Sequence, residues 1–149
     1  MGKPADDLGL HVHRQVQRLA AASKLRAQWH LPADWDESLV LDLFGVGLGV
    51  THGHQFGPGG APAFWAKHTH GGQSLAHADL LLTGHCHHLR IEPTGRSAFT
   101  GKSKWWIQAP TMDNSSDWFR HRNGDDSDPG ILVFDVTPEG FDLQSLTVL

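Results

Sequence analysis

Thiol chemistry is nearly absent from this chain, which has one cysteine, Cys86, among its 149 residues. A single thiol excludes an intramolecular disulfide and any multi-cysteine zinc site. There is no apolar run of the roughly 18 residues that a membrane span needs, and the N-terminus carries no signal-peptide core. The expected location is therefore cytoplasmic, with no membrane contact. Positive charge is also scarce: 12 Lys and Arg stand against 16 Asp and Glu, a formal net charge of −4. That balance argues against tight nucleic-acid binding driven by bulk charge. Apolar residues make up only 39%, and 17 glycines point to many turns, so a loop-rich globular domain is expected. The length suits one domain with one core, and neither an internal repeat nor a linker interrupts it.

What the chain has in excess is histidine. There are 12, and eight of them (His52, His54, His68, His70, His77, His85, His87 and His88) fall within 37 residues. Imidazole is the commonest side-chain metal ligand and titrates near neutral pH.

Their setting comes from the hydrophobic pattern. Leu8, Val12, Val16 and Leu19 recur at spacings of four, four and three. This predicts a helix over residues 6–28, with Asp6 or Asp7 as its cap and Arg and Lys near its far end. Residues 39–45 and 46–51 read as two strands joined in a hairpin around residues 44–47. In the second strand Val46, Leu48 and Val50 alternate with glycine, so the glycine face should meet a closely packed covering element. "HGHQFGPGG" is a loop by composition, and "APAFWAKHTH" a short helix with Pro62 in its first turn. "ADLLLTG", residues 78–84, is a short apolar run ended by glycine, the pattern of a buried strand central in a sheet. "HLRIEP", "SAFTG" and "KWWIQAP" read as successive strands, and residues 111–130 as a long polar loop. "ILVFDV" and "DLQSLTVL" close the chain around a "TPEG" hairpin turn. The order predicts an α+β domain, mostly one mixed sheet with a long N-terminal helix.

A catalytic metal site places its ligands on loops at the ends of buried strands, where the backbone is rigid and the mouth open. His52 follows the strand over residues 46–51, and His85 follows "ADLLLT". In "GHCH" the glycine permits a sharp turn. His85 and His87, two apart in an extended segment, would point the same way. These three are the candidate metal ligands. His54 and His88 are accessory candidates, supporting a ligand or facing substrate. His11, His13, His30, His77 and His121 read as ordinary surface residues, and His68 and His70 as neighbours of the glycine-rich loop. No residue is assigned a catalytic role.

A strand followed by "THGH" and a later strand followed by "GHxH" resemble the last two motifs of the calcineurin-like metallophosphoesterase family. The likeness is greatest to phage and bacterial members, in which "THGDQF" and a glycine-rich loop precede the "GHxH". It runs in order and spacing from about residue 39 to the C-terminus. The resemblance implies one partial domain over residues 1–149, the C-terminal half of a four-layer α/β/β/α sandwich. It implies metal-dependent hydrolysis of a phosphodiester or phosphomonoester, with nucleic acid among the candidate substrates. It also implies two divalent ions, with His52 and His85 resembling ligands of one and His87 a ligand of the other. Such a pair neutralises phosphate charge, lowers the pKa of a water and steadies the leaving oxygen. Histidine and carboxylate ligands suit manganese, iron, zinc or nickel alike.

The family's earlier motifs, "DxH", "GDxxD" and "GNH", do not stand upstream of His52. "GDDSD" at residues 124–128 matches one by letter, but it follows the "GHxH", has no strand before it, and reads as a solvated acidic turn. "MGKPADDLGLHVHRQV" resembles the segment that follows "GNH" in the family. The expectation is a fragment that lacks the bridging aspartate and, alone, hydrolyses phosphoesters weakly or not at all. The alternative is a non-catalytic metal-binding subunit, or one completed by an N-terminal half from another chain. A half-domain should leave an apolar sheet face open, with Trp65, Trp105 and Trp106 as candidates, although each also suits an ordinary core. Asp113, Asn114, Ser115 and Ser116 could line the mouth, and turn formation explains them equally well.

Overall fold

Three parallel strands form the centre of the fold. The computed structural model describes residues 8–113, 121 and 128–149. Strands β1 (Ser38–Leu43), β2 (Val46–Thr51), β3 (Leu80–Thr83), β4 (Arg90–Arg96) and β5 (Ser103–Gln108) make one sheet in the order β1-β2-β3-β5-β4. β2, β3 and β5 run parallel, and the edge strands β1 and β4 run antiparallel to their neighbours. β3 is thus central, as its uninterrupted apolar run predicts. β1 and β2 are joined by a two-residue turn, Phe44–Gly45, with both residues at positive φ, the backbone that a tight hairpin requires. Helix α2 (Ala61–His70) and a 3-10 turn (Ser74–His77) carry the chain from β2 to β3. Pro62 lies in the first turn of α2, where its missing N–H has no partner to lose.

The register separates the two faces. Val40, Leu81 and Trp106 look toward α2 and pack with Trp65, Leu75, Ala78 and Phe64 in the main core. The glycines of β2 share this face. A Cβ on Gly47 would lie 2.1 Å from the His77 carbonyl oxygen, and one on Gly49 would lie 2.9 Å from both Leu75 and Ala78 side chains. The close covering element expected from the alternation is therefore the 3-10 turn and the residue after it. The other face carries Val46, Leu80 and Ile107, all buried, beside Leu39, Leu41, Leu43, Leu48 and Leu82, half-exposed, and Val50, more exposed still. Trp105 on that face meets Phe141 of the C-terminal hairpin, ring centroids 5.7 Å apart. This face is open mainly over β1 and β2, where its residues are aliphatic. Trp65 and Trp106 are core residues of the covered side, the ordinary-core reading, whereas Trp105 lies half-buried on the other face.

Helix α1 spans Leu8–Ala22 among the described residues and ends before the predicted residue 28. It ends because Lys24 takes a left-handed φ of 57°. Leu25 N–H then reaches the Ala20 carbonyl and Lys24 N–H the Ala21 carbonyl, a Schellman termination without its usual glycine. The predicted caps Asp6 and Asp7 lie outside the described residues. The stripe Leu8, Val12, Val16 and Leu19 is exposed along its whole length, and no residue of α1 is buried.

Two further expectations change. "SAFTG" is the turn between β4 and β5, not a strand, closed by Gly101 N–H to the Ser97 carbonyl at 2.9 Å. The C-terminal segment forms two short ladders, β6 (Leu132–Val133) with β9 (Thr147–Val148) and β7 (Val136–Thr137) with β8 (Gly140–Phe141). The "TPEG" turn joins β7 to β8 as predicted. The polar loop is described only at its ends, so Asn114, Ser115, Ser116 and most of "GDDSD" lie outside the described residues. Asp113 N–H bonds Thr111 Oγ1 at 3.0 Å, a turn contact.

Candidate metal centre

Because β2 and β3 are parallel neighbours, with Thr51 beside Thr83, their C-terminal ends open at one edge of the sheet. The first residues past each end are His52 and Gly84–His85. Gly84 N–H bonds the His52 carbonyl at 2.9 Å and ties the two loops together. Gly53 turns at φ 107°, and a side chain there would press on the Gly84 carbonyl at 3.2 Å, so the "HGH" glycine is needed on both counts. Behind the edge, Trp106 Nε1 donates to Thr83 Oγ1 at 2.9 Å in a buried contact that anchors the end of β3.

This arrangement brings His52 Nε2 to 3.1 Å from His85 Nδ1. Two nitrogens on one tetrahedral ion at ordinary zinc distances lie about 3.3 Å apart, so the pair fits two adjacent ligand positions. His54 joins the cluster by its ring, 5.4 Å from His52 and 6.3 Å from His85 between centroids. His85 and His87 are not in an extended segment. Both take left-handed backbone, φ 67° and 61°, so the argument that they point the same way from a strand does not hold. For non-glycine residues this is a strained conformation of the kind that gathers at functional sites. His88 is half-buried, and its carbonyl accepts Gln108 Nε2–H at 2.7 Å. Between the histidines, burial pushes the Cys86 thiol pKa up, so the group is a protonated thiol at neutral pH. His11, His13, His30, His70, His77 and His121 are exposed.

Two residues of the site were not expected. Glu37, just before β1, places Oε2 3.6 Å from His54 Nε2. Gln55 donates to that carboxylate at 3.0 Å and to Thr51 Oγ1 at 3.0 Å, and accepts Gly53 N–H at 3.1 Å. The acidic run before β1 was the available signal for Glu37, but no local pattern ties it to a histidine 17 positions later. The same run lines a cavity of about 680 Å³ beside the cluster, with Asp34, Asp36, Glu37, Thr51, Gln55 and His68 in its wall. Among the described residues no group of three or more His, Cys, Asp or Glu side chains converges to hold a metal ion. The described residues supply two converging nitrogens and a nearby carboxylate, which is part of a ligand set and not a whole one.

No family profile matches the sequence, and no curated protein is significantly similar to it. Solved structures do match by fold. Wild-type Vps29 from Entamoeba histolytica, complexed with Zn2+, aligns with a TM-score of 0.51 at 19% identity, over 78% of this chain and 56% of that one. A single mutant of the same protein aligns at 0.50 and 17%, over 83% of this chain and 64% of that one. Both share a metallophosphoesterase-like fold with this chain, and at such identity the likeness shows the fold alone. The chain spans about three-fifths of the length of these neighbours. Among the described residues no helix is long and apolar enough to cross a membrane.

Proposed function

We propose that this chain provides the histidine wall of a two-metal phosphoester-hydrolysing centre of the phage and bacterial metallophosphoesterase type. His52 and His85 hold one divalent ion, manganese, iron, zinc or nickel, and His87 belongs to the second. His54, oriented by Glu37, and His88 are accessory. The observation that carries this reading is the 3.1 Å approach of His52 and His85 across the ends of two adjacent parallel strands. In open sheets of this kind ligands bind beyond the carboxyl ends of the strands. A bound pair of ions would supply Lewis acidity toward a phosphoryl group. The chain's own contribution is to fix two imidazoles on a tied, glycine-turned edge and to keep an acidic cavity beside them.

The carboxylates that such a centre needs come, in this reading, from a complementing N-terminal half. Its sheet would cover the aliphatic face of Leu39, Leu41, Leu43, Leu48 and Leu82. The substrate is a phosphodiester or phosphomonoester, nucleic acid included, met in the cytoplasm, where the single unpaired Cys86 is at home. The second reading uses the same residues for a non-catalytic metal-binding or complementing subunit, and a ligand set that is incomplete among the described residues favours it for the isolated chain.

Metal content and turnover test both. The isolated chain should bind one equivalent of Mn2+ or Zn2+, lose it in His52→Ala/His85→Ala, and hydrolyse bis-p-nitrophenyl phosphate no faster than buffer. Metal binding that survives the double substitution would overturn the assignment. Activity that appears on adding a polypeptide with the three missing motifs selects the hydrolase. Assembly with that polypeptide without activity selects the non-catalytic subunit.

A further inference from the structure

The sheet has a second cavity at the end opposite His52 and His85. Lys104 precedes Trp105, which pairs with Leu80 at the start of β3, whereas Gln108 pairs with Thr83 at its histidine-bearing end. The cavity holds about 380 Å³ between α2 and the β4–β5 pair, and its polar wall is Thr69, His70, Thr94, Arg96 and Lys104, beside the indole of Trp65. No carboxylate among the described residues lines it.

Three features there are not explained by folding. Lys104 is only 9% exposed, with its ammonium 3.9 Å from the centre of the Trp65 ring. Burying an ammonium is unfavourable unless it is paired, and desolvation pulls the Lys104 pKa down, against the opposing pull of Asp79. Thr94 Oγ1 is buried with no hydrogen-bond partner, an exception that in a folded protein asks for a reason. Thr94 is also the extra residue of a β-bulge: Pro93 pairs with Trp105 and Gly95 with Lys104, leaving Thr94 outside the ladder. Bulges re-aim side chains and gather beside functional sites. Arg96 is held at the rim by its Nη1–H to the Gly101 carbonyl at 3.1 Å.

We propose that this cavity binds an oxyanion, specifically a phosphate group, with Lys104 and Arg96 supplying positive charge and the Thr94 hydroxyl donating to a phosphate oxygen. Phosphate offers only acceptors at neutral pH and carries more than one negative charge. It gives the Lys104 ammonium a second counter-charge beside Asp79, and the stranded hydroxyl an acceptor, in one step. The site is distinct from the imidazole cluster and needs no metal.

The test is calorimetric titration of the metal-free full-length chain with inorganic phosphate. One saturable site is expected, unchanged in His85→Ala. Lys104→Met and Arg96→Gln should each weaken it about tenfold or more, because each removes a charge-assisted hydrogen bond. Thr94→Val, which keeps the shape, should weaken it about threefold. Should Lys104→Met fail to fold, Arg96→Gln, at an exposed side chain, carries the test. Absence of saturable binding to the wild type, or equal affinity in Arg96→Gln and Thr94→Val, would falsify the proposal.

Discussion

The two ends of the sheet carry cavities of opposite charge. At the end where β2 and β3 finish, Asp34, Asp36 and Glu37 line the cavity, with no lysine or arginine among the described residues. At the other end Arg96 and Lys104 line theirs with no carboxylate among the described residues. Each arrangement attracts one sign of ligand and repels the other. A cation is favoured beside the imidazoles, and an anion where the strands begin. The two were assembled differently. The acids arrive together, in one run before β1, while the cations come from separate strands, Arg96 from β4 and Lys104 from β5.

If the ends act independently, a change at one should leave the other's ligand untouched. The largest effect is expected for His52→Ala/His85→Ala: metal affinity should fall more than about 100-fold, beyond the loss seen on removing mere supporting partners. Phosphate affinity should stay unchanged by calorimetry. Loss of both would show that the ends are coupled through β3.

Next in size is a contrast between two carboxylates. Asp79 is 2% exposed and accepts Gly47 N–H at 3.1 Å and the Thr100 hydroxyl at 2.6 Å. Asp36, at the acidic end, accepts Ser38 N–H and Oγ–H near solvent. Asp79→Ala should cost about 2 kcal/mol in urea unfolding, since it removes a buried acceptor shared by two donors, and Asp36→Ala about 1 kcal/mol. Equal costs would mean that burial adds nothing to the Asp79 contacts. Smaller again is Glu37→Gln, which keeps the Gln55 contact but removes the charge facing His54. It should weaken metal binding about tenfold, as loss of an outer partner does, and leave phosphate binding alone.

The same contrast separates what could be read in advance from what could not. β2, α2 and the "TPEG" turn fall where their patterns place them, because alternation, a first-turn proline and a two-residue turn are local signals. The strand-end setting of His52 and His85 was legible for that reason. The backbone of His85 and His87 was not, since left-handed φ at a non-glycine residue has no sequence mark. Lys24 concealed the end of α1 in the same way. Glu37 beside His54, and Lys104 over Trp65, are products of tertiary register with no periodicity to announce them. "SAFTG" looked like a strand from its composition, and it turns because Gly101 N–H closes on Ser97.

The smallest effect concerns Lys104 itself. A residue kept for a ligand, at odds with its surroundings, should stabilise the protein when replaced. In the folded chain desolvation holds the Lys104 pKa below its ordinary value of 10.5. Between the lowered value and 10.5 the unfolded chain binds a proton that the folded one does not, so wild-type stability rises with pH across that window. Below it, the folded state carries a poorly solvated charge. Lys104→Met keeps the aliphatic contact with Trp65 and removes that charge. In phosphate-free urea titrations at pH 7 it should be more stable than wild type by about 0.5 kcal/mol, solvent screening and the lost cation–π contact both reducing the gain. The advantage should shrink as the pH approaches 10.5. Subtracting the variant's pH profile from the wild type's removes the opposing contribution of Cys86, whose raised pKa acts in the same alkaline range. Added phosphate should reverse the order of stability, because only the wild type gains from a ligand bound at that end of the sheet.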